Sequence, residues 1–386
     1  LPGVPDALLI HADSLLDANM FVATGITVGD PFTYLEAGDR RIIVTNQLEV
    51  DLVRRESTAN EVWMVDEFGG RDLVLDGWPL DEARMETVRR MLERAGLDAV
   101  AVPPNFPLAL GDYLRGKGIT LTPDRVLFTS RRRHKDAGQL QGVRAAQRAT
   151  EAAFDAARDV IGSASPDADG TLQLDGETLT CERVRTVVVD TLRERGCAGE
   201  PPIVAAGPQG ALGHELGHGP IHAGVPVIID IFPRHEASRY CADMTRTFCF
   251  GEASDRLRAM HTTILESLHR STEAIAAGVP GTAPWGVACD VIERDGYRTV
   301  RGLAKGETLD EDFFHSLGHG VGVEVHEPPY MGLGDATPLE QGDVVTVEPG
   351  VYRKDYGGVR LEDLVVVTAD GCDVLTEYDY DLEVRP

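Results

Sequence analysis

The sequence predicts an α+β chain of two domains, and two observations lead there. In the first third, apolar runs of strand length alternate with stretches of helical spacing, the order of a layered α/β domain. Beyond about residue 136, amphipathic helices give way to glycine-rich, β-branched strands, several of which hold a carboxylate in an otherwise apolar run. The smaller α/β domain is placed at residues 1–130 and the larger domain at 136–386.

In the first domain, "DALLIHAD" (6–13), "RRIIVTN" (40–46) and "LDAVAVP" (97–103) read as strands. "QLEVDLVRR" and "LDEARMETVRRMLERAG" between them have helical spacing, the second stopped at Gly96. The basic run Arg131 to Lys135 reads as a solvated linker. In the second domain, Leu140, Val143, Ala146, Ala153, Phe154, Ala157 and Ile161 fall on one helical face. Further helices are expected near 256–277 and 284–295, the latter opened by Pro284. "VPVIIDIF", "YCADMTRTF", "DVVTVEPGVY" and "VRLEDLVVVT" read as strands. No fixed-period repeat is found, but the tetrapeptide "LGHG" occurs twice, at 216 and 317.

Composition narrows the function. Acids outnumber bases 63 to 37, and the net charge of -26 argues against nucleic acid or an anionic membrane as partner. No run of apolar residues is long enough to span a bilayer. The opening "LPGVPDALLIHAD" lacks the basic stretch and long apolar core of a signal peptide. Six cysteines without C-x-x-C spacing fit reduced thiols in a cytoplasmic protein.

"GHELGHGPIH" (213–222) contains H-E-x-x-H, the zinc-peptidase pattern. That pattern works only on a helix, where residues i and i+4 share a face. Here Gly207, Gly210, Gly213, Gly217, Gly219, Pro208 and Pro220 crowd the segment. Each interior Gly disfavours a helix by about 1 kcal/mol, and each Pro by about 3 kcal/mol. A loop is expected instead.

The carboxylates are more informative. Asp230 interrupts an apolar strand; Asp243 shares a face with Thr245 and Thr247. Glu348 shares one with Val344 and Thr346, and Glu362 one with Arg360, Leu364 and Val366. Four buried acids near one point would repel, and each alone would protonate. Two divalent cations would match their four charges. "FFHSLGHGVGVEVHEPP" adds His315, His319 and His326 on extended chain. Four carboxylates with one imidazole make a hard, oxygen-rich set that suits Mn²⁺, with zinc or cobalt as the other candidates.

Taken in order, "DMTRTF", "HSLGHGVGVEVHE", "VTVEPGVY" and "VRLEDLVVV" resemble the pita-bread metallopeptidases, which include prolidases and Xaa-Pro aminopeptidases. The resemblance implies a C-terminal pita-bread (creatinase/aminopeptidase-like) catalytic domain behind a creatinase-like N-terminal domain. It implies five ligands to two divalent ions: Asp230, Asp243, His319, Glu348 and Glu362. Residue by residue, it also implies substrate-side roles for His326 and His214, an outer histidine at His315, and an arginine, Arg360, that orients the ligands. Glu348 would carry protons beside a metal-bridging hydroxide.

The implied activity is hydrolysis of the Xaa-Pro bond of dipeptides, by a cytoplasmic homodimer. The alternative is a Xaa-Pro aminopeptidase acting on longer peptides, and the remote alternative is a metal-free binding module or creatinase-like hydrolase. Two departures stand out. Asp230 and Asp243 are thirteen residues apart, longer than the resemblance leads one to expect, so "IFPRHEASRYCA" must form an extended hairpin. Residues 320–347 contain no Arg or Lys to grip a dipeptide carboxylate. Arg353, an N-terminal-domain arginine or a second subunit would have to supply that charge.

Overall fold

A computed structural model describes residues 6–385; residues 1–5 of the opening stretch lie outside them. The chain divides into two compact units, Leu1–Arg132 and Arg133–Pro386.

The first unit is built on a six-stranded sheet. Its strand order is Glu61–Met64, Arg40–Thr45, Phe32–Ala37, Ala7–Ala12, Ala99–Val102 and Thr120–Pro123. The three strands of largest overlap pair antiparallel, and the outer pairings are parallel. Strand alternation sends Leu9, Leu35, Ile42 and Val44 to one core and Leu8, Ile10, Tyr34 and Ile43 to the other. The helix Leu80–Ala95 covers the first face with Val88, Met91 and Leu92. It ends at Gly96, whose φ of 74° is the left-handed conformation a side chain would resist.

The second unit repeats one theme, a helix pair laid on a mainly antiparallel sheet. Ala137–Gly162 and Cys181–Glu194 pack on the strands Ile203–Ala206, Pro226–Ile231 and Met244–Phe250. Phe154 and Phe248 meet edge to face there, 6.2 Å between centroids. Asp255–Glu273 and Thr282–Arg294 pack on a second sheet. Its strand order is Glu327–Met331, Gly318–Gly320, Val344–Val347, Asp363–Val367 and Cys372–Val374. A hairpin of Gly350–Arg353 and Gly357–Arg360 stands beside it. Each fully buried aliphatic or aromatic side chain in these cores contributes about 1.5–3 kcal/mol. No described helix is long and apolar enough to cross a membrane.

Three expectations need correction. The basic run is not a solvated linker. Residues 125–133 are helical, and Arg133 is buried against Asp343, its Nη2 2.5 Å from Oδ2, with Glu340 alongside. Lys135 is buried on Glu327 at 2.7 Å. The helix Cys181–Glu194 was not expected at all. The strand read through "VRLEDLVVV" is two strands, broken at Leu361 and Glu362.

Candidate metal centre

The break just described is where the chemistry sits. Asp230 lies inside the strand Pro226–Ile231, opposite Thr245 of its neighbour. Asp243 immediately precedes Met244–Phe250, Glu348 immediately follows Val344–Val347, and Glu362 separates its two strands. Carboxylates placed where the ladder ends can turn toward one point without disturbing strand hydrogen bonds. His319 is central in the short strand Gly318–Gly320. The thirteen-residue spacing is absorbed by an extension: Arg234–His235 turns aside to pair with Cys197–Ala198, while Asp230 and Thr245 keep register.

These side chains converge. Ligand-type atoms lie within 4.8 Å of one another in three overlapping groups: Asp230, Asp243 and Glu362; His319, Glu348 and Glu362; and Asp243, His319 and His326. His319 Nε2 is 3.6 Å from Asp243 Oδ2 and 3.5 Å from Glu348 Oε1. The structure thus brings together the five residues expected as ligands and adds His326 at their edge, its ring 4.3 Å from that of His319.

The electrostatics fit a cation. Burial, then the charges of Glu362, Asp230 and Glu348, hold the Asp243 carboxyl well above its usual range. Burial, then Glu348 and Asp230, does the same to Glu362. Burial and Asp230 push Glu348 up to about 8. Burial lowers His319 to about 4, keeping it a neutral donor of a lone pair. Buried Asp230 Oδ1 has no hydrogen-bond partner. Carboxylates crowded and buried until their pKa values rise, with one oxygen unmatched, fit a site for divalent cations.

Residues 141–369 match the sequence pattern of Metallopeptidase family M24. The chain belongs to that family. Over 205 residues it is 34% identical to a Xaa-Pro dipeptidase of Pyrococcus furiosus, a match covering 52% of this chain and 55% of that protein. The chain thus spans about half the length of that relative. It is 28% identical over 334 residues to a Xaa-Pro dipeptidase of Lactobacillus helveticus, covering 86% of this chain and 83% of the other. An X-Pro aminopeptidase from Thermotoga maritima superposes with a TM-score of 0.79 at 26% identity, covering 98% and 97% of the two chains. The fold is the pita-bread arrangement of M24 peptidases, whose family character calls for divalent metal ions.

Within this M24 site several supporting residues come into view. Arg360 is buried, with Nη2 donating to Asp230 Oδ2 at 2.5 Å, Nη1 to the Tyr352 hydroxyl at 3.0 Å and Nε to Thr245 Oγ1 at 3.2 Å. Thr245 Oγ1 donates to Glu362 Oε2 at 2.7 Å. His315 spends both ring nitrogens, on Ser316 O at 2.7 Å and on the Tyr352 hydroxyl at 2.9 Å. It therefore stands behind the ligands. Beneath them Arg246, fully buried, pairs with Asp363 at 2.9 Å and donates to the Glu362 carbonyl at 2.7 Å. Sequence reasoning missed Tyr352 and Arg246, although both lie inside the quoted motifs.

The opening H-E-x-x-H is no zinc helix. His214 and His218 lie exposed on a loop, with His218 Nδ1 3.8 Å from Glu215. Burial and then Arg360 lower His315, and burial lowers His326; His214 is nevertheless close enough to the centre to add to both. Arg353 is engaged elsewhere, 2.8 Å from Asp312 and stacked on Tyr297.

Proposed function

We propose that this chain is a dinuclear-metal exopeptidase that hydrolyses the Xaa-Pro bond of dipeptides, a prolidase, acting in the cytoplasm as a homodimer. The observation that carries the reading is the convergence of Asp230, Asp243, His319, Glu348 and Glu362 from two sheets of an M24 chain. Asp243, His319 and Glu362 each belong to two of the three groups, and of these the two carboxylates have the pair of oxygens that sharing between two ions requires. Mn²⁺ is proposed on ligand hardness, with zinc or cobalt next. The six free cysteines fit a reducing compartment.

Two divalent ions held there would supply a low-pKa water and a Lewis acid for the scissile carbonyl. The chain's own residues do the rest. Glu348, the least buried of the four carboxylates, accepts the proton of the attacking water and returns it to the leaving nitrogen. His326, exposed at the edge of the cluster, donates to the carbonyl oxygen as negative charge develops. His214, on its loop near His326, contacts the substrate. Arg360 and Thr245 fix the rotamers of Asp230 and Glu362, and His315 holds Tyr352 against Arg360.

A second reading has its own support. With Arg353 tied to Asp312 and no Arg or Lys between 320 and 347, a dipeptide carboxylate finds no guanidinium or ammonium group in these places. A Xaa-Pro aminopeptidase needs none. Hydrolysis of a Xaa-Pro dipeptide and a matched tripeptide, with Mn²⁺ and with chelator, separates the two. Metal-dependent cleavage favouring the dipeptide supports the prolidase, and preference for the tripeptide moves the enzyme to the aminopeptidase side. No metal-dependent cleavage of either removes both and leaves the metal-free readings.

A further inference from the structure

The first unit holds a cavity of ≈ 530 Å³, within the range of small-molecule sites. It lies between one face of the six-stranded sheet and the helices Gly70–Leu75 and Leu80–Ala95. That face is apolar through Leu9, Leu35 and Ile42, and at the cavity end it changes character. Two residues on from Leu9 is His11; two residues before Leu35 is Thr33; two residues after Val44 is Asn46. The register sets His11 against Thr33 and Thr33 against Val44, so the change occurs at one place across neighbouring strands. A face that served only to pack would continue apolar.

The polar groups are partly committed and partly open. His11 Nδ1 pairs with Thr33 Oγ1 at 2.9 Å, and Asn46 Oδ1 accepts from the Leu48 amide. Burial, then the charge of Arg84, lowers the His11 pKa to about 4, so its ring is neutral and close to that arginine. Arg71, Arg84, Asp30 and Asp66 line the same cavity, and among the described residues none of the four forms an ion pair. Phe32, Val74, Val88 and Met91 supply an apolar wall. Both signs of charge, uncommitted, beside an apolar wall match one ligand chemistry.

We propose that this cavity binds a small zwitterion with an apolar side chain, an amino acid or a dipeptide, its carboxylate on Arg84 and its ammonium toward Asp30 or Asp66. The site shares no residue with the metal centre and stands whether or not the peptidase reading does. If both hold, the ligand belongs to the class of compounds the reaction consumes and releases, and the first unit reads their concentration.

Titration calorimetry on the full chain in chelator, with L-proline, L-leucine and a Leu-Pro dipeptide as probes, tests this. Arg84→Glu changes an exposed residue, and Val74→Trp obstructs the wall from an exposed position. Each is expected to weaken binding at least about tenfold with an unchanged unfolding midpoint, while Asp243→Asn leaves binding intact. Acetate alone is expected to bind at least about tenfold more weakly than the amino acid. The proposal is overturned if none of the probes binds at about 10 mM. Binding that survives Arg84→Glu but disappears in Asp243→Asn also overturns it, as does acetate binding as well as the amino acid.

Discussion

The tetrapeptide Leu-Gly-His-Gly occurs at 216–219 and again at 317–320, and its two copies make the same kinds of backbone contact but share neither conformation nor fate: Gly217 and Gly219 have φ of 78° and 77° in a loop, whereas Gly318–Gly320 is a strand. In each, the leucine carbonyl accepts an amide from a neighbouring segment: Val204 N–H to Leu216 O at 3.0 Å, and Glu348 N–H to Leu317 O at 2.8 Å. In each, a Cβ on the first glycine would collide with a backbone carbonyl, that of Val204 or that of Thr346. In each, a side chain accepts the histidine amide: Gln209 Oε1 at 2.8 Å for His218 and Thr346 Oγ1 at 3.1 Å for His319. Yet the His218 side chain is 73% exposed and that of His319 only 7%. The motif specifies how closely chain lies on chain. What sets His319 apart is the cluster of Asp243, Glu348 and Glu362, which only the second copy has around it.

The largest effect should come from breaking that asymmetry directly. His319→Ala is expected to lower metal-dependent kcat/KM by on the order of 10³-fold, while His218→Ala stays within about twofold. Comparable losses would show that the first copy also takes part in the chemistry. The glycines test the shared half of the comparison. Gly318→Ala should destabilise by about 1–3 kcal/mol through overpacking against Thr346. Gly217→Ala should lose about 1 kcal/mol more, because its φ of 78° disfavours any side chain. Denaturant unfolding reads both; a neutral Gly217→Ala would mean the first loop is not held as described.

A third effect is on pH dependence. Asp243, Glu362 and Glu348 have folded pKa values raised above their unfolded ones, Glu348 to about 8. Such groups add stability below the unfolded pKa and lose it as pH rises through the folded one. His319, lowered to about 4, acts oppositely, losing stability as pH falls from about 6.5 to 4. Between pH 6.5 and 8 the acids act alone, so the metal-free protein should lose stability on going up that interval. Metal affinity should meanwhile rise by up to about tenfold per pH unit for each proton displaced. Thermal unfolding with and without Mn²⁺ checks both; a metal-induced shift independent of pH would remove these carboxylates as ligands.

The smallest effect compares the amide clamps. Gln209→Ala and Thr346→Ala should each lower stability by about 1 kcal/mol. Only Thr346→Ala should also lower kcat/KM, and equal activities would erase the distinction.

Much of this was legible in the sequence because a carboxylate in an apolar strand is a contradiction that needs an explanation. Asp230 in "VIIDIF" is the clearest case. Alternation over-extended the strands: Asp243, Glu348 and Glu362 sit just outside their ladders, and no pattern of residue types marks where pairing stops. The helix Cys181–Glu194 was hidden by Val187, Val188 and Val189, a β-branched run. Its buried face of Cys181, Val184, Val188 and Leu192 has helical spacing and could have been read. Arg246 and Lys135 were beyond reach, since a buried cation is recognised only by the distant acid that meets it, Asp363 or Glu327.

The division of the candidate ligands between two sheets has a consequence in time. A ribosome releases Asp230 and Asp243 well over a hundred residues before Glu362 exists. The first helix-and-sheet layer can collapse around Phe154 and Phe248 while its two acids wait at an unfinished edge. No ion can template that half, because two carboxylates alone are a weak trap. Capture must follow synthesis of the last sheet, so the metal centre is among the latest features this chain acquires.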